Sequence, residues 1–417
     1  MILTIVEPEA SGHRMVSNVR HLGREAQRRG WKVHLLTTEA AIGHPAYAQL
    51  VAGLDQPVSV SLMDHVEFPA KGVSRMALLR YQWSRWKTFR AGLSGCDVAQ
   101  NSNAVFLNHL EYCDKMMALR GSPFGSLPLV ALTLAVSHHH KHCGIRGPAK
   151  RLRALNERVF QRVLSVPQLR SLITIDPLLR EYSIGGGHRY AEKIVAAPDM
   201  AHLSGLMSRD VARQTLGLRD RQVGVLLFGS LTQRKGLDAF IGALVHDRAS
   251  EDLVAVVAGT QDRDATRILA SPVAERLRSQ GRLLEFPGFQ SETQEAVHFG
   301  AADIVWLGYR GFSGMSGVAL KAAAAGLPVL ACREGLIGWL AGKEQIGPTV
   351  DIEDAAAVAS TLSRLGESPE ERARYGEQGR RLAGERSPDR FAGVICDALA
   401  RAADASEAPK QRGVASH

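Results

Sequence analysis

What the chain lacks narrows the field first. No stretch reaches the roughly eighteen uncharged apolar residues that a bilayer span needs, so any membrane contact is expected to be peripheral. Cysteine is scarce: five residues in 417 (Cys96, Cys113, Cys143, Cys332 and Cys396), scattered and without a C-x-x-C pair. Neither a disulfide framework nor a structural zinc site is indicated, and a reducing cytoplasm is the expected setting. The opening Met1–Val6 is apolar, but no basic segment precedes it and Glu7 and Glu9 follow at once, so it reads as a strand rather than a signal peptide. A G-x-x-x-x-G-K-[ST] loop is absent, which argues against an NTPase. Neither 7–14 nor 183–190 supplies G-x-G-x-x-G after a strand, which argues against a dinucleotide oxidoreductase.

Acidic residues are thin in one segment: 71–170 holds 4 of them against 16 Lys and Arg. The whole chain carries 51 basic and 42 acidic residues, a formal +9. Residues 1–196 hold 25 basic and 14 acidic, whereas 197–417 hold 26 and 28, so the first half carries the excess. That half either attracts phosphate or another anionic surface, or simply presents a solvated basic face. With 45% apolar and 22% charged residues, the composition is that of an ordinary globular protein of two or three domains.

Apolar runs supply the organisation. Ile2–Val6, a turn at Ser11-Gly12, a helical pattern through Val16, Val19, Leu22 and Ala26, and then Val33–Thr37 form a β–α–β unit. Further runs from Leu127 to Val136 and from Ser171 to Ile175 extend it into a parallel, Rossmann-like sheet. The pattern restarts at Val223–Phe228 and recurs at Leu253–Ala258, Leu283–Phe286, Ile304–Leu307 and Pro328–Ala331. The expected fold is therefore α/β: a doubly wound domain over 1–196, a second over 197–385, and a linker at Ala197-Pro198-Asp199. A helix over 386–403 is expected to pack back on the first domain, and 404–417 to form a disordered tail.

Two loops follow strands of the second half. Gly229-Ser-Leu-Thr-Gln-Arg234-Lys235-Gly236 sets a glycine turn and two cations where a ligand phosphate could sit. The second, Tyr309-Arg-Gly-Phe-Ser313-Gly314-Met315-Ser316-Gly317, opens an Ala-rich helix whose free N–H groups and positive dipole end suit a diphosphate. Each also has a plain structural reading, as a turn leading into a helix.

The two sheets, these loops, Ala302-Asp303-Ile304, Ala325-Gly326-Leu-Pro328-Val-Leu and Gly347–Asp354 together resemble the retaining GT-B glycosyltransferases of group 1, related to glycogen synthase and bacterial mannosyltransferases. The resemblance implies two Rossmann-like domains facing a cleft, the first for the acceptor and the second for the donor nucleotide. It implies that Lys235 holds the donor diphosphate, that Gly229, Arg234, Ser313, Gly314, Met315, Ser316 and Gly317 line its site, and that Gly12 lines the opposite wall. It also implies a nucleotide-diphosphate sugar as donor, with no cofactor and no metal. Three positions depart from the family pattern. Ser313 and Lys321 stand where two glutamates eight residues apart are usual, Lys321 being expected on the donor side as a binding residue, and Ser230 stands where an arginine is usual. A lysine cannot accept hydrogen bonds from ribose hydroxyls, so the donor is bound differently, the donor is unusual, or the site is inactive. Glu334 is either a carboxylate within reach of the same pocket or a solvated turn residue.

The run Ser137-His138-His139-His140-Lys141-His142-Cys143 invites a metal reading. Adjacent side chains of an extended segment face opposite ways, however, and no H-E-x-x-H or C-x-x-C spacing accompanies the run, so no metal is assigned. By resemblance, His138 or His139 is a catalytic candidate beside donor and acceptor; surface imidazoles are the alternative. In 76–90, Tyr81, Trp83 and Trp86 beside Arg80, Arg85, Lys87 and Arg90 suit either a membrane interface or a core helix with a basic outer face.

These readings converge on a glycosyltransferase that moves a sugar from a nucleotide-diphosphate donor to a hydroxyl acceptor, with retention. The expected setting is cell-envelope or polysaccharide synthesis at the cytoplasmic face of a membrane, with an anionic or lipid-linked glycan as acceptor and no nucleic acid partner. The competing reading is a non-catalytic GT-B-like binding protein with a degenerate donor site.

Overall fold

The computed structural model describes residues 1–10, 14–69, 74–147 and 152–411. The chain divides into two compact units, one built from 1–143, 149–198 and 388–417, the other from 144–148 and 199–387.

The first unit holds seven parallel strands: β1 (Ile2–Val6), β2 (Lys32–Thr37), β3 (Ser59–Leu62), β4 (Ala104–Leu107), β5 (Leu129–Thr133), β6 (Leu169–Thr174) and β7 (Ile194–Ala196). Their order across the sheet is β3-β2-β1-β4-β5-β6-β7. The central strands are almost wholly apolar because helices cover both faces, which leaves no solvent side to demand alternation; the exceptions Thr4 and Thr133 are hydrogen-bonded to Ser102 and Glu111. Every residue of β4 and β5 is buried. Trp86, Phe89, Phe124, Phe160 and Leu164 fill the layer beside them.

The second unit repeats the plan with β8 (Val223–Phe228), β9 (Leu253–Gly259), β10 (Leu283–Pro287), β11 (Ile304–Leu307), β12 (Val329–Cys332) and β13 (Thr349–Val350), in the order β10-β9-β8-β11-β12-β13. The order turns at β8 and β11, and in such sheets the loops at the carboxyl ends of the strands beside a reversal form the ligand crevice. The loops 229–236 and 308–317 leave β8 and β11 at that place.

Three expectations change here. The helix Pro388–Gln411 runs through eight positions assigned to a disordered tail, carried on by the strongly helix-forming alanines of 402–405. It belongs to the first unit, where Arg29 bonds Asp397 at 2.7 Å and Arg28 meets Asp389 at 3.3 Å. The aromatic stripe of the helix Arg75–Ser94 turns largely into the core: Tyr81, Arg85 and Trp86 are buried, Trp83 is half-buried, and Trp86 donates its indole N–H to Gly121 O at 3.0 Å. Trp83 stacks on Trp86 with centroids 5.6 Å apart, and Arg85 is ion-paired to Glu9 at 2.9 Å. Residues 137–143 form turns rather than an extended run, so the argument that adjacent histidines must diverge does not apply.

Candidate functional site

In the second unit, β8 ends in a turn held tight by glycine. Gly236 sits at φ +63°, and a Cβ there would lie 2.3 Å from Gly308 O. Gly259, at φ +141°, approaches Gly229 O so closely that a Cβ would lie 1.7 Å away. Only residues without a side chain allow these approaches. They press the 229–236 turn against the ends of β9 and β11.

Inside the turn, the Lys235 side chain folds back and is buried. Its ammonium donates to Phe228 O at 2.8 Å and to the Tyr309 hydroxyl. Tyr309 Oη is in turn 3.0 Å from Ser316 Oγ. One continuous chain of polar contacts therefore joins the 229–236 turn to the start of the helix Gly317–Ala325. An ammonium has three N–H donors, and these two bonds leave one for a ligand. Ser316 stands at the N-cap of that helix but makes no side-chain cap bond, so the first-turn N–H groups keep no hydroxyl partner. The backbone ties the loops together as well: Arg310 N donates to Arg234 O at 2.8 Å, and Trp306 Nε1 donates to Lys235 O at 2.9 Å. The Arg234 guanidinium lies 4.6 Å from the centroid of Phe312, exposed at the mouth of the second loop.

A pocket of about 420 Å³ adjoins this chain and shares Tyr309 with it; Arg146, Arg310, Arg333 and Glu334 also line it. Arg310 is paired to Glu353 and Asp238, and hydrogen bonding to Glu353, then to Asp238, holds its guanidinium above its ordinary pKa. Both readings of Glu334 hold in part, since it is exposed and lines the pocket.

Gly229, Arg234, Lys235 and Ser316 are thus drawn together, with Gly314 and Met315 buried beside Ser316. Ser313 sits at the turn below, its carbonyl accepting from Leu336 N at 3.3 Å. Lys321 departs from expectation: its ammonium is ion-paired to Glu295 of the helix Glu292–Ala301, so it is not a free cation waiting for the donor. Gly12 lies outside the described residues. Tyr309 and Glu295 were missed as partners. Tyr309 leads a motif already visible in sequence, but Glu295 is twenty-six positions from Lys321 and only the fold brings them together.

In the first unit, His138 and His139 are buried. His139 Nε2 and His140 Nε2 lie 2.7 and 3.1 Å from Asp176 Oδ2. Burial, which alone would raise the Asp176 carboxyl, is outweighed by these hydrogen bonds, and its pKa falls to about 2. Burial pushes His138 down to about 4 and lowers His139 as well, so both rings are neutral at neutral pH. His138 lines a cavity of about 200 Å³ with Glu111, Asp114, Thr133 and Arg153. Asp176 was missed: it lies one residue beyond the apolar run Ser171 to Ile175 and caps the helix Pro177–Gly185.

Residues 222–368 match the family model Glycosyl transferases group 1. That match lies within the second unit. It contains the whole Lys235–Tyr309–Ser316 chain together with Lys321 and Glu295. Compared by sequence with curated proteins, the chain matches none. Among solved structures it resembles sucrose-phosphate synthase from Thermosynechococcus elongatus, with a TM-score of 0.65 and 16% identity over 100% of both chains. It also resembles HepE of Anabaena, solved with UDP-glucose, with a TM-score of 0.64 and 15% identity over 96% of this chain and 100% of that one. A third is WaaG, a glycosyltransferase involved in lipopolysaccharide biosynthesis, with a TM-score of 0.60 and 17% identity over 96% and 98%. The chain therefore has two Rossmann-like units of the GT-B fold. Among its described residues no helix is long and apolar enough to cross a membrane.

Proposed function

We propose that the protein transfers a sugar, with retention, from a nucleoside-diphosphate sugar to a hydroxyl of a glycan or lipid-linked acceptor. The observation that carries this reading is the Lys235–Tyr309–Ser316 chain, which aims a buried ammonium and an uncapped helix N-terminus at one strand edge. Such an arrangement neutralises a departing diphosphate: the sugar C1–O bond to phosphate breaks, the bond from C1 to the acceptor oxygen forms, and the acceptor proton passes to the leaving phosphate. Lys235 binds the diphosphate, Arg234 adds charge from the rim, and the N–H groups at Ser316 and Gly317 meet the phosphate oxygens. That HepE was solved with UDP-glucose supports a nucleotide-sugar donor.

For the acceptor, the support is the basic excess of 71–170, whose outward side on the 75–94 helix carries Arg80, Lys87 and Arg90. An anionic acceptor, or an acidic membrane surface on the cytoplasmic side holding it, suits that charge. The aromatic stripe no longer contributes to this part of the reading.

The test is calorimetry with UDP, GDP, ADP and TDP and their sugars, followed by product analysis. Lys235→Ala is expected to weaken nucleoside-diphosphate binding by about 1–3 kcal/mol, the scale of a lost charged hydrogen bond. Unchanged affinity removes Lys235 from the donor site. Binding without turnover of any acceptor leaves a binding protein in place of a transferase.

A further inference from the structure

The first unit contains a cluster that donor binding does not use. His139 Nε2, His140 Nε2 and Asp176 Oδ2 all lie within 4.8 Å of one another, and all three residues are buried. They come from separate segments, the turn after β5 and the start of the helix Pro177–Gly185. The turn is what makes the convergence possible. His142 N and Cys143 N both donate to His139 O, at 2.8 and 3.1 Å, and this curled backbone brings two consecutive rings to one atom.

Asp176 is fixed independently of the histidines. Its Oδ1 accepts from Leu178 N at 3.0 Å, capping the helix, and its N–H donates to Thr174 Oγ1 at 3.1 Å. Oδ2 therefore has no backbone duty and faces only the two rings. A single N–H would satisfy it, yet two imidazoles are held there.

We propose that His139, His140 and Asp176 bind one divalent transition-metal ion of the zinc class, which pins the 137–143 turn to the start of the 177–185 helix. Two imidazole nitrogens and a carboxylate oxygen are a donor set that zinc and its neighbours accept. Bonds of about 2.0–2.2 Å place tetrahedral ligand atoms about 3.4 Å apart, so the pairs now at 2.7 and 3.1 Å need open by only a few tenths of an ångström to admit the ion. Metal binding needs the Nε2 lone pair, so the imidazole proton must sit on Nδ1. For His139 this shift breaks no existing bond at Nδ1, which has no hydrogen-bond partner. Three protein ligands leave the remaining position to water.

The test uses the full-length, tag-free chain stripped with a chelator and titrated with Zn²⁺ against a chromophoric competitor, with Co²⁺ as the spectroscopic probe. One equivalent of Zn²⁺, a Co²⁺ visible spectrum with nitrogen ligation, and a raised melting temperature are expected. Asp176→Asn preserves the helix cap, because Asn caps as well as Asp, and should weaken Zn²⁺ at least tenfold. His140→Ala should do the same, whereas His142→Ala, outside the convergent set, should leave the affinity unchanged. No stoichiometric uptake, or equal affinity in wild type, Asp176→Asn and His140→Ala, overturns the proposal. Because the readout is metal and not sugar transfer, its failure is separate from failure of the proposed activity.

Discussion

At the scale of single residues, charge placement decides two outcomes. The ion pair of Lys321 with Glu295 is largely withdrawn from water, with 13% and 11% of the side chains exposed. Removing one partner of a buried pair strands the other, so Lys321→Glu should lower stability by about 3 kcal/mol in urea unfolding. The double variant Lys321→Glu/Glu295→Lys should recover most of the loss, and a double variant no better than the single one would show that the pair is not coupled. His298 supplies the second outcome. It packs against Phe286 and Phe228, bonds Gln290 Oε1 at 2.9 Å, and is pushed by burial from 6.5 to about 4. The unfolded chain takes up a proton at this ring below about pH 6.5, while the folded one does so only near pH 4. Stability at this site is therefore full above pH 6.5 and lost as the pH falls towards 4. Urea midpoints measured across that window should fall for the wild type and fall less steeply for His298→Leu; parallel curves would assign the acid sensitivity elsewhere.

At the scale of elements, the 75–94 helix shows how one pattern serves two readings. Trp and Tyr flanked by Arg and Lys describe a membrane-interface helix and a core helix with a cationic rim equally well, because long basic side chains lie along aromatic faces in both. Tertiary packing settles the matter: Phe89 and Trp86 enter the core, and Lys87, Arg90 and Arg120 stand over the rings of Trp83 and Trp86. Trp86→Ala should therefore cost about 3–5 kcal/mol of unfolding free energy, the scale of emptying a buried aromatic site. An unchanged urea midpoint would return the residue to the surface. The same lesson applies to the histidine run. Its residues and its position after β5 were legible, but whether the rings converge depends on the turn, which hydrophobic periodicity does not encode.

At the scale of the molecule, the last helix belongs to the unit that the first strands begin. Phe391, Ile395, Cys396 and Leu399 are fully or almost fully buried, and the helix packs on Arg20–Arg28 and on the sheet strands β4 to β6. Deleting 388–417 should uncover side chains each contributing about 1.5–3 kcal/mol of burial. The lower-melting calorimetric transition is then expected to be that of the first unit, with the second unit keeping its melting temperature. Equal loss in both transitions would contradict this division.

The sequence by itself determined the two doubly wound sheets, since strands buried on both faces must be apolar throughout and are separated by helical periodicity. It also located the two loops after β8 and β11, because glycines with positive φ and small residues before a helix are local requirements written at fixed positions. Only the tertiary structure decided the partners: Tyr309 between Lys235 and Ser316, Glu295 against Lys321, and Asp176 beneath two neighbouring histidines. Each of these contacts joins residues distant in the chain or in an irregular turn. Their cost and benefit lie in desolvation and hydrogen-bond geometry, which take effect only once packing has removed the water around them.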